Sequence, residues 1–351
     1  MGLWPTHRDE SPFLRSIDSK QVMRDFRRSV IAWFRQLSLV TPFFQVPLMR
    51  SRYRIMRGSH MKISRIAVFF ALVTGLSVFG TAQPDTVLVG AGDIASCDDL
   101  AGAQATAKLI DNIPGTVFAA GDLAYPDGSD EQFAKCYGPT WGRFKDRTRP
   151  APGNHEYHSG GASGYVRYFA AAAGDPKKAY YSYDLGEWHI IVLNSECDEV
   201  GGCGAGSAQE QWLRQDLKDH PVKCTLAYWH KPLFSSGAAH GNGPEIKPLW
   251  DALYAANVEV VLNGHDHDYE RFAPQDPSGK LDPQRGIREF VVGTGGKNSH
   301  RTFASTQPNS EVHQADTFGV LKLTLHPTSY DWEFVPEAGK TFKDSGSGAC
   351  H

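Results

Sequence analysis

GHDHDYER, residues 264–271, follows VEVVLN, residues 258–263, and this junction decides how the chain is read. VEVVLN is a β-branched apolar run, the pattern of a buried strand. Gly264 frees the backbone to turn sharply and to approach whatever lies at the strand's end. His265 and His267 are two residues apart, so on extended backbone both rings leave the same face. Two imidazoles presented together at a strand tip suit a metal ion. Taken alone, the pair reads equally well as two histidines of a polar turn. The other strand ends of the chain decide between these readings.

Four more apolar runs end in polar groups of the same kind. TVLVGAGDI (86–94) ends at Asp93, and GTVFAAGD (115–122) ends at Asp122, with Tyr125 three residues on. RTRPAPGNHEY (147–157) brings Asn154 and His155 to a third Gly-containing tip, and KCTLAYWHKP (223–232) ends at His230. Each has a bland reading: Gly-Asp is a common turn, a Tyr before Pro is commonly a packed aromatic, and Asn-His is commonly solvated. Five such ends after apolar strands in one chain argue for a shared site.

Between these strands lie helical stretches. AGAQATAKLIDN (101–112) has helix formers with apolar residues at helical spacing, and DEQFAKCYGPTW predicts a helix broken at Gly138-Pro139. SAQEQWLRQDLKDH (207–220) opens with Ser207 and carries Glu210 three residues later, the pattern of a capping box, and PEIKPLWDALYAAN also reads as a helix. KKAYYSYDLG and EWHIIVLNSE read as a hairpin. IREFVVGTGG, GVLKLTLHP and SYDWEFVPE read as three late antiparallel strands. Alternating strands and helices followed by a β tail indicate one α/β domain. Chemistry on such folds gathers at the carboxyl ends of the strands, where these Asp, Asn and His residues fall.

The ordered set GDIA, GDLAYPD, GNHE, WHKP and GHDHDYER resembles the calcineurin-like metallophosphoesterase family, and its purple acid phosphatase branch in particular. The resemblance spans nearly all of residues 86–335. It implies a two-sheet β sandwich flanked by helices, with a two-metal centre at the strand ends. Many members of the wider family place a metal-binding His two residues after the first Asp. Here that position is Ala95, which has no donor, while Tyr125 matches the tyrosinate of the purple acid phosphatases. A phenolate is a hard anionic donor and favours a ferric ion. The resemblance implies Fe³⁺ with a divalent partner, Zn²⁺, Fe²⁺ or Mn²⁺. Asp93, Asp122, Tyr125 and His267 would hold the first ion; Asp122, Asn154, His230 and His265 would hold the second. His155 would contact the phosphoryl oxygens, and His240, in SSGAAHGNG, resembles a further substrate histidine. His158, His189, His220, His300, His313, His326 and His351 match nothing in the family's pattern and read as structural or solvated. The N-terminal β domain of the plant enzymes has no counterpart here.

The activity implied is hydrolysis of phosphomonoesters by a hydroxide activated on one ion. A phosphodiesterase with the same centre, or an exported metal-binding protein without turnover, are the alternatives. Charge bears on partners. The 351-residue chain has a formal net charge of −3, but residues 1–60 carry ten Arg and one Lys against four acids, about +7. Beyond residue 82 the count is 23 bases against 35 acids, about −12. An acidic body has no basic surface to grip nucleic acid, so a small phosphate ester is the expected partner.

MKISRIAVFFALVTGLSVFGTA (61–82) has a basic start at Lys62 and Arg65, an apolar run too short to span a membrane, and small residues Gly80 and Ala82 before Gln83. This is the layout of a secretory signal peptide; a buried core helix is the alternative. No cysteine follows the run, which argues against a lipid anchor. We read residues 1–60 as an Arg-rich leader from a mis-assigned start, with a genuine extended leader as the alternative, and residues 83–351 as the metallophosphoesterase domain. A secreted or periplasmic protein permits disulfides. All six cysteines lie beyond residue 82, and six allow fifteen pairings. Cys197 and Cys203 flank a short loop and pair in our reading; Cys97 and Cys136 each follow a strand-end motif, leaving Cys224 for Cys350. Free buried thiols are the alternative. The exported protein is expected to begin near Gln83, and N-terminal sequencing that finds any residue before Met61 contradicts this.

Overall fold

The structure is a computed structural model and describes residues 86–298 and 302–351. The leader, the export segment and His300 lie outside the described residues. β1 (Thr86–Ala91) runs into a short β2 (Ala95–Ser96), then α1 (Ala101–Ile110). β3 (Thr116–Ala120) and a short β4 (Ala124–Tyr125) repeat the strand-then-tip pattern. The segment expected to be one broken helix is three pieces: a capped turn at Asp130–Gln132, a π-helix at Phe133–Tyr137 and a 3₁₀ helix at Trp141–Arg147. β5 (Thr148–Ala151) leads to the one-turn α2 (Asn154–Tyr157) and to α3 (Ser163–Phe169).

The hairpin of β6 (Tyr181–Leu185) and β7 (Trp188–Val192) forms as expected, turning at Gly186. α4 (Ala208–Asp219) follows, then β8 (Cys224–Tyr228), α5 (Lys247–Ala255) and β9 (Val260–Asn263). Ser207 caps α4 by accepting from the Glu210 N–H, but Glu210 accepts from the Gly206 N–H, one residue beyond the expected box. The chain closes with β10 (Tyr269–Phe272), β11 (Arg288–Val292), β12 (Ser310–Gln314), β13 (Gly319–His326), β14 (Ser329–Pro336) and β15 (Ser345–Ala349).

Two sheets carry the fold. One has the order β15-β14-β13-β1-β3-β5, the other β12-β10-β11-β9-β8-β7-β6. The central pairs β1–β3, β3–β5, β7–β8 and β8–β9 are parallel. β13 and β14 form the expected antiparallel pair, but β11 belongs to the other sheet and lies parallel to β9. β10, β12 and β15 were not legible from the sequence; β15 is SGSGA, without the apolar alternation that marks a strand.

Alternation explains why the seven-stranded sheet is buried on both sides. Ile190 and Val192 of β7, Leu226 and Tyr228 of β8, and Val260 and Leu262 of β9 join the core shared with the six-stranded sheet. Ile191, Ala227 and Val261 point the other way, into a second core with Leu213, Leu249, Trp250 and Leu253 of the helices. Successive residues on a strand face opposite sides, so one run of apolar sequence feeds both layers. The expected two-sheet sandwich with helical flanks is therefore what forms. Among the described residues no helix is long and apolar enough to cross a membrane.

Three disulfides close the expected pairs: Cys97–Cys136, Cys197–Cys203 and Cys224–Cys350. The last fastens the end of the chain to β8 across 126 residues. A cross-link that long removes much chain entropy from the unfolded state. Replacing Cys224 and Cys350 by Ser is expected to cost about 2–5 kcal/mol. Chemical denaturation checks this, and an unchanged midpoint contradicts it.

Candidate metal centre

The parallel strands β1, β3, β8 and β9 deliver their carboxyl ends to one place. Asp93 and Asp122 sit just past β1 and β3, and both hold left-handed backbone, φ 59° and 54°. His265, just past β9, does the same at φ 74°. Non-glycine residues avoid this region, and such outliers gather at functional sites. The left-handed turn at His265 also corrects the expectation for its motif. The backbone is not extended there, so the rings of His265 and His267 part company. His267 Nε2 lies 3.3 Å from Asp93 Oδ1, whereas His265 Nδ1 lies 3.1 Å from His230 Nε2.

Asp122 sits between these two groups. Its Oδ2 accepts from the Tyr125 hydroxyl at 3.2 Å and lies 3.2 Å from His230 Nε2. The Tyr125 hydroxyl also donates to Asp93 Oδ1 at 2.8 Å and meets His267 Nε2 at 3.2 Å. Asp93, Asp122, Tyr125, His230 and His267 are all buried. Asp122, His230 and His265 bring ligand atoms within 4.8 Å of one another. His230 Nδ1 donates to the Ala120 carbonyl at 2.8 Å, which fixes the ring and turns Nε2 inward. Asn154 contributes a side-chain Oδ1 that is buried and has no hydrogen-bond partner. Buried polar atoms are rarely left so.

Electrostatics concentrates charge at this point. Burial opposes ionisation of Asp122, yet His230 and His155 beside it hold the carboxyl well below its usual range. Burial likewise opposes a charge on His230, but the Asp122 carboxylate outweighs it and holds the imidazole up at about 10. His265 goes the other way: burial and the neighbouring His230 and His240 keep it neutral. Burial, then Asp122 and Asp93, push the Tyr125 phenol well above its ordinary value. A phenol so placed ionises only when a cation enters beside it. Carboxylate, imidazole, phenol and amide oxygen form a mixed O and N donor set that fits two hard or borderline ions.

His155 stands at the rim. Its Nδ1 donates to the Pro126 carbonyl at 2.5 Å, and its Nε2 lies 3.7 Å from Asp122 Oδ2. Its ring rests on Tyr125 with centroids 4.4 Å apart. His240 stacks on His265 at 3.9 Å, so the looser of the expected substrate residues does reach the centre. A cavity of about 440 Å³, lined by Asn154, His158, Lys231 and Glu245 among others, opens beside it.

Two positioning carboxylates lay inside the quoted motifs without a role assigned to them. Glu156, wholly buried, accepts from the N–H groups of Asp122, Leu123 and Gly153 at 2.8–2.9 Å. It thereby ties the Asp122 tip to the Asn154 tip. Burial, then the Asp122 charge, push its carboxyl up to about 8. Asp266 accepts from the Ser235 hydroxyl and from the N–H groups of His240 and Gly241, and so sets the His240 loop over the centre. An acid in mid-motif beside two apolar strand ends was the signal available for both. Two glycines are required by the close approach. A Cβ on Gly264 would lie 2.5 Å from Asp93 Oδ2, and one on Gly153 would lie 2.2 Å from Asp122 Oδ1.

The chain is similar to known proteins. Residues 79–269 match the calcineurin-like phosphoesterase family. Probable purple acid phosphatase 20 of Arabidopsis thaliana is 29% identical over 235 residues, 58% of this chain and 53% of its own length. Purple acid phosphatase 21 of the same plant is 28% identical over 262 residues, 66% of this chain and 57% of its own. The chain thus spans about half the length of the curated relatives it matches. Purple acid phosphatase PPD1 from yellow lupin (Lupinus luteus) seeds superposes with a TM-score of 0.60 at 22% identity, covering 77% of this chain and 54% of that one. GAP50, the anchor in the inner membrane complex of Plasmodium, gives 0.59 at 14% identity, covering 77% and 90%. At such identities the structural matches speak for the fold alone. The family match covers more than half of the chain and falls on the strand ends just described, so this protein belongs to the calcineurin-like phosphoesterase family.

Proposed function

We propose that this chain is an exported two-metal phosphohydrolase of the purple acid phosphatase type, acting on small phosphomonoesters. The observation that carries the reading is the position of Asp122. One buried carboxylate faces the Asp93–Tyr125–His267 group on one side and the His230–His265 pair on the other. Asp93, Asp122, Tyr125 and His267 would hold the first ion. Asp122, Asn154, His230 and His265 would hold the second, and the unpartnered Asn154 Oδ1 supports that role. Tyr125 supports Fe³⁺ in the first site, with Zn²⁺, Fe²⁺ or Mn²⁺ in the second. The three disulfides support export, with residues 83–351 as the mature domain.

Bound there, two ions supply the positive charge that offsets a phosphate ester's own and activate a water for attack. The residues do the rest. Asp122 and Asp93 keep the donors in register, and Glu156 fixes the tip that carries Asp122. His155, with Nδ1 anchored on Pro126, presents Nε2 toward the centre. From there it can hold a phosphoryl oxygen or give a proton to the leaving oxygen, a role worth roughly 10²–10⁴ in rate. His240 borders the same space from the opposite loop.

Turnover of p-nitrophenyl phosphate and of its bis-ester, with and without chelator, tests the reading. We expect the monoester to be the better substrate, with activity lost to chelator and restored by metal. Preference for the bis-ester would assign a phosphodiesterase. No turnover of either by the metal-loaded protein would leave an exported metal-binding protein without catalysis. The iron assignment has its own test. Tyr125→Phe keeps the ring and deletes the oxygen, so it should abolish the visible charge-transfer band of the iron-loaded protein. An identical band in both proteins removes Tyr125 from the ligand set.

A further inference from the structure

Two of the histidines that read as structural stand together, away from the first centre. His189 of β7 faces the helical side of the seven-stranded sheet, under the last turn of α4. Its register partner is Thr225, five residues before His230. At ~3.3 Å per residue this places it roughly 15 Å from the first centre. His189 is 1% exposed. Its Nδ1 donates to Asp184 Oδ1 at 2.9 Å, and its Nε2 lies 2.8 Å from Asp216 Oδ2. Asp216 and His220 are four residues apart on α4 and its C-cap, so they share a face. His220 Nδ1 donates to the Asp216 backbone carbonyl at 2.9 Å and is 3.5 Å from Asp216 Oδ1.

We propose that His189, Asp216 and His220 form a second metal site, for one divalent ion of the zinc type, that straps α4 to the β6–β7 hairpin. Three observations carry this. The ligand atoms of the three residues lie within 4.8 Å of one another, as in the Asp122 cluster. Two imidazoles and a carboxylate are a zinc donor set, with the fourth position open to water at the half-exposed His220. The supporting contacts are also in place: Asp184 holds the His189 tautomer that leaves Nε2 as a donor, and the Ser182 hydroxyl donates to Asp216 Oδ1 at 2.8 Å. Ligating histidines are characteristically backed by a carboxylate in this way.

Charge favours the exchange. Asp184 and Asp216 contribute two negative charges around one imidazole. A proton on His189 offsets one of them; a divalent ion offsets both. Binding is therefore a replacement: the proton between Nε2 and Oδ2 leaves to solvent, and the ion takes its place. Burial opposes a charge on His189, but hydrogen bonds to the Asp216 and Asp184 carboxylates raise its pKa in spite of it. One movement is required. The His189 and His220 rings are stacked 4.2 Å apart and 11° from parallel, so their nitrogens do not yet converge. His220 stands at the helix end with its side chain 40% exposed, and turning about its Cβ–Cγ bond exchanges the Nδ1 hydrogen bond to the Asp216 carbonyl for the ion.

Zinc equivalents per chain, measured by equilibrium dialysis on the full exported protein, test this. His220→Ala should hold one zinc fewer than wild type at the same free zinc, with ester turnover unchanged. That difference does not depend on what the first centre holds. Asp184→Asn, an exposed change that leaves the three ligands intact, should weaken the same zinc about 10–100-fold. Equal zinc in wild type and His220→Ala overturns the proposal. So does an Asp184→Asn protein that binds as tightly as wild type, since the ion would then sit on a surface histidine and not in a built site.

Discussion

Asp122 is the constraint on which the rest of the arrangement depends. It is a buried carboxylate at the tip of a central parallel strand, held in left-handed backbone, with donors on both sides. Such a group is costly unless positive charge meets it. In the protein alone, His230 and His155 meet part of that need. The family's two ions would meet the rest. The sandwich supplies the geometry: β1 and β3 in one sheet and β8 and β9 in the other are parallel pairs, so four tips arrive at one end of the molecule.

Around this point further acids work as braces. Glu156 binds three backbone N–H groups at 2.8–2.9 Å and joins the tips after β3 and β5. Asp266 joins the β9 tip to the loop carrying His240. Each fixes the backbone from which a neighbour reaches in. A site built on loops needs such fixing to keep its donors within the tolerance that catalysis requires. The same logic recurs at His189, where Asp184 and Ser182 orient the residues that face each other.

Much of this was legible from local sequence. The strand-end motifs and the disulfide pairs follow from apolar runs, tip residues and cysteine spacing, whereas the two-sheet sandwich was implied by the family resemblance those motifs carry. What was not legible depends on tertiary context. The parting of His265 and His267 comes from one left-handed residue, which period-two reasoning does not foresee. β15 lacks a strand pattern because its glycines lie against the Trp332 and Tyr330 rings, which supply the packing their own side chains lack. β11 reads like its antiparallel neighbours in the tail, yet joins β9 in parallel. Glu156 and Asp266 were visible as residues, but their hydrogen bonds run across 3 to 34 positions and exist only in the folded chain.

The claim that organises the account is that Asp122 holds two ions at once. Metal content of Asp122→Asn beside wild type, on protein shown to be folded, tests it most directly. Asn keeps the shape and removes the charge. The account predicts two ions in wild type, loss of at least one in the variant, and a rate lower by about 100-fold or more. Two ions retained with full turnover would contradict it.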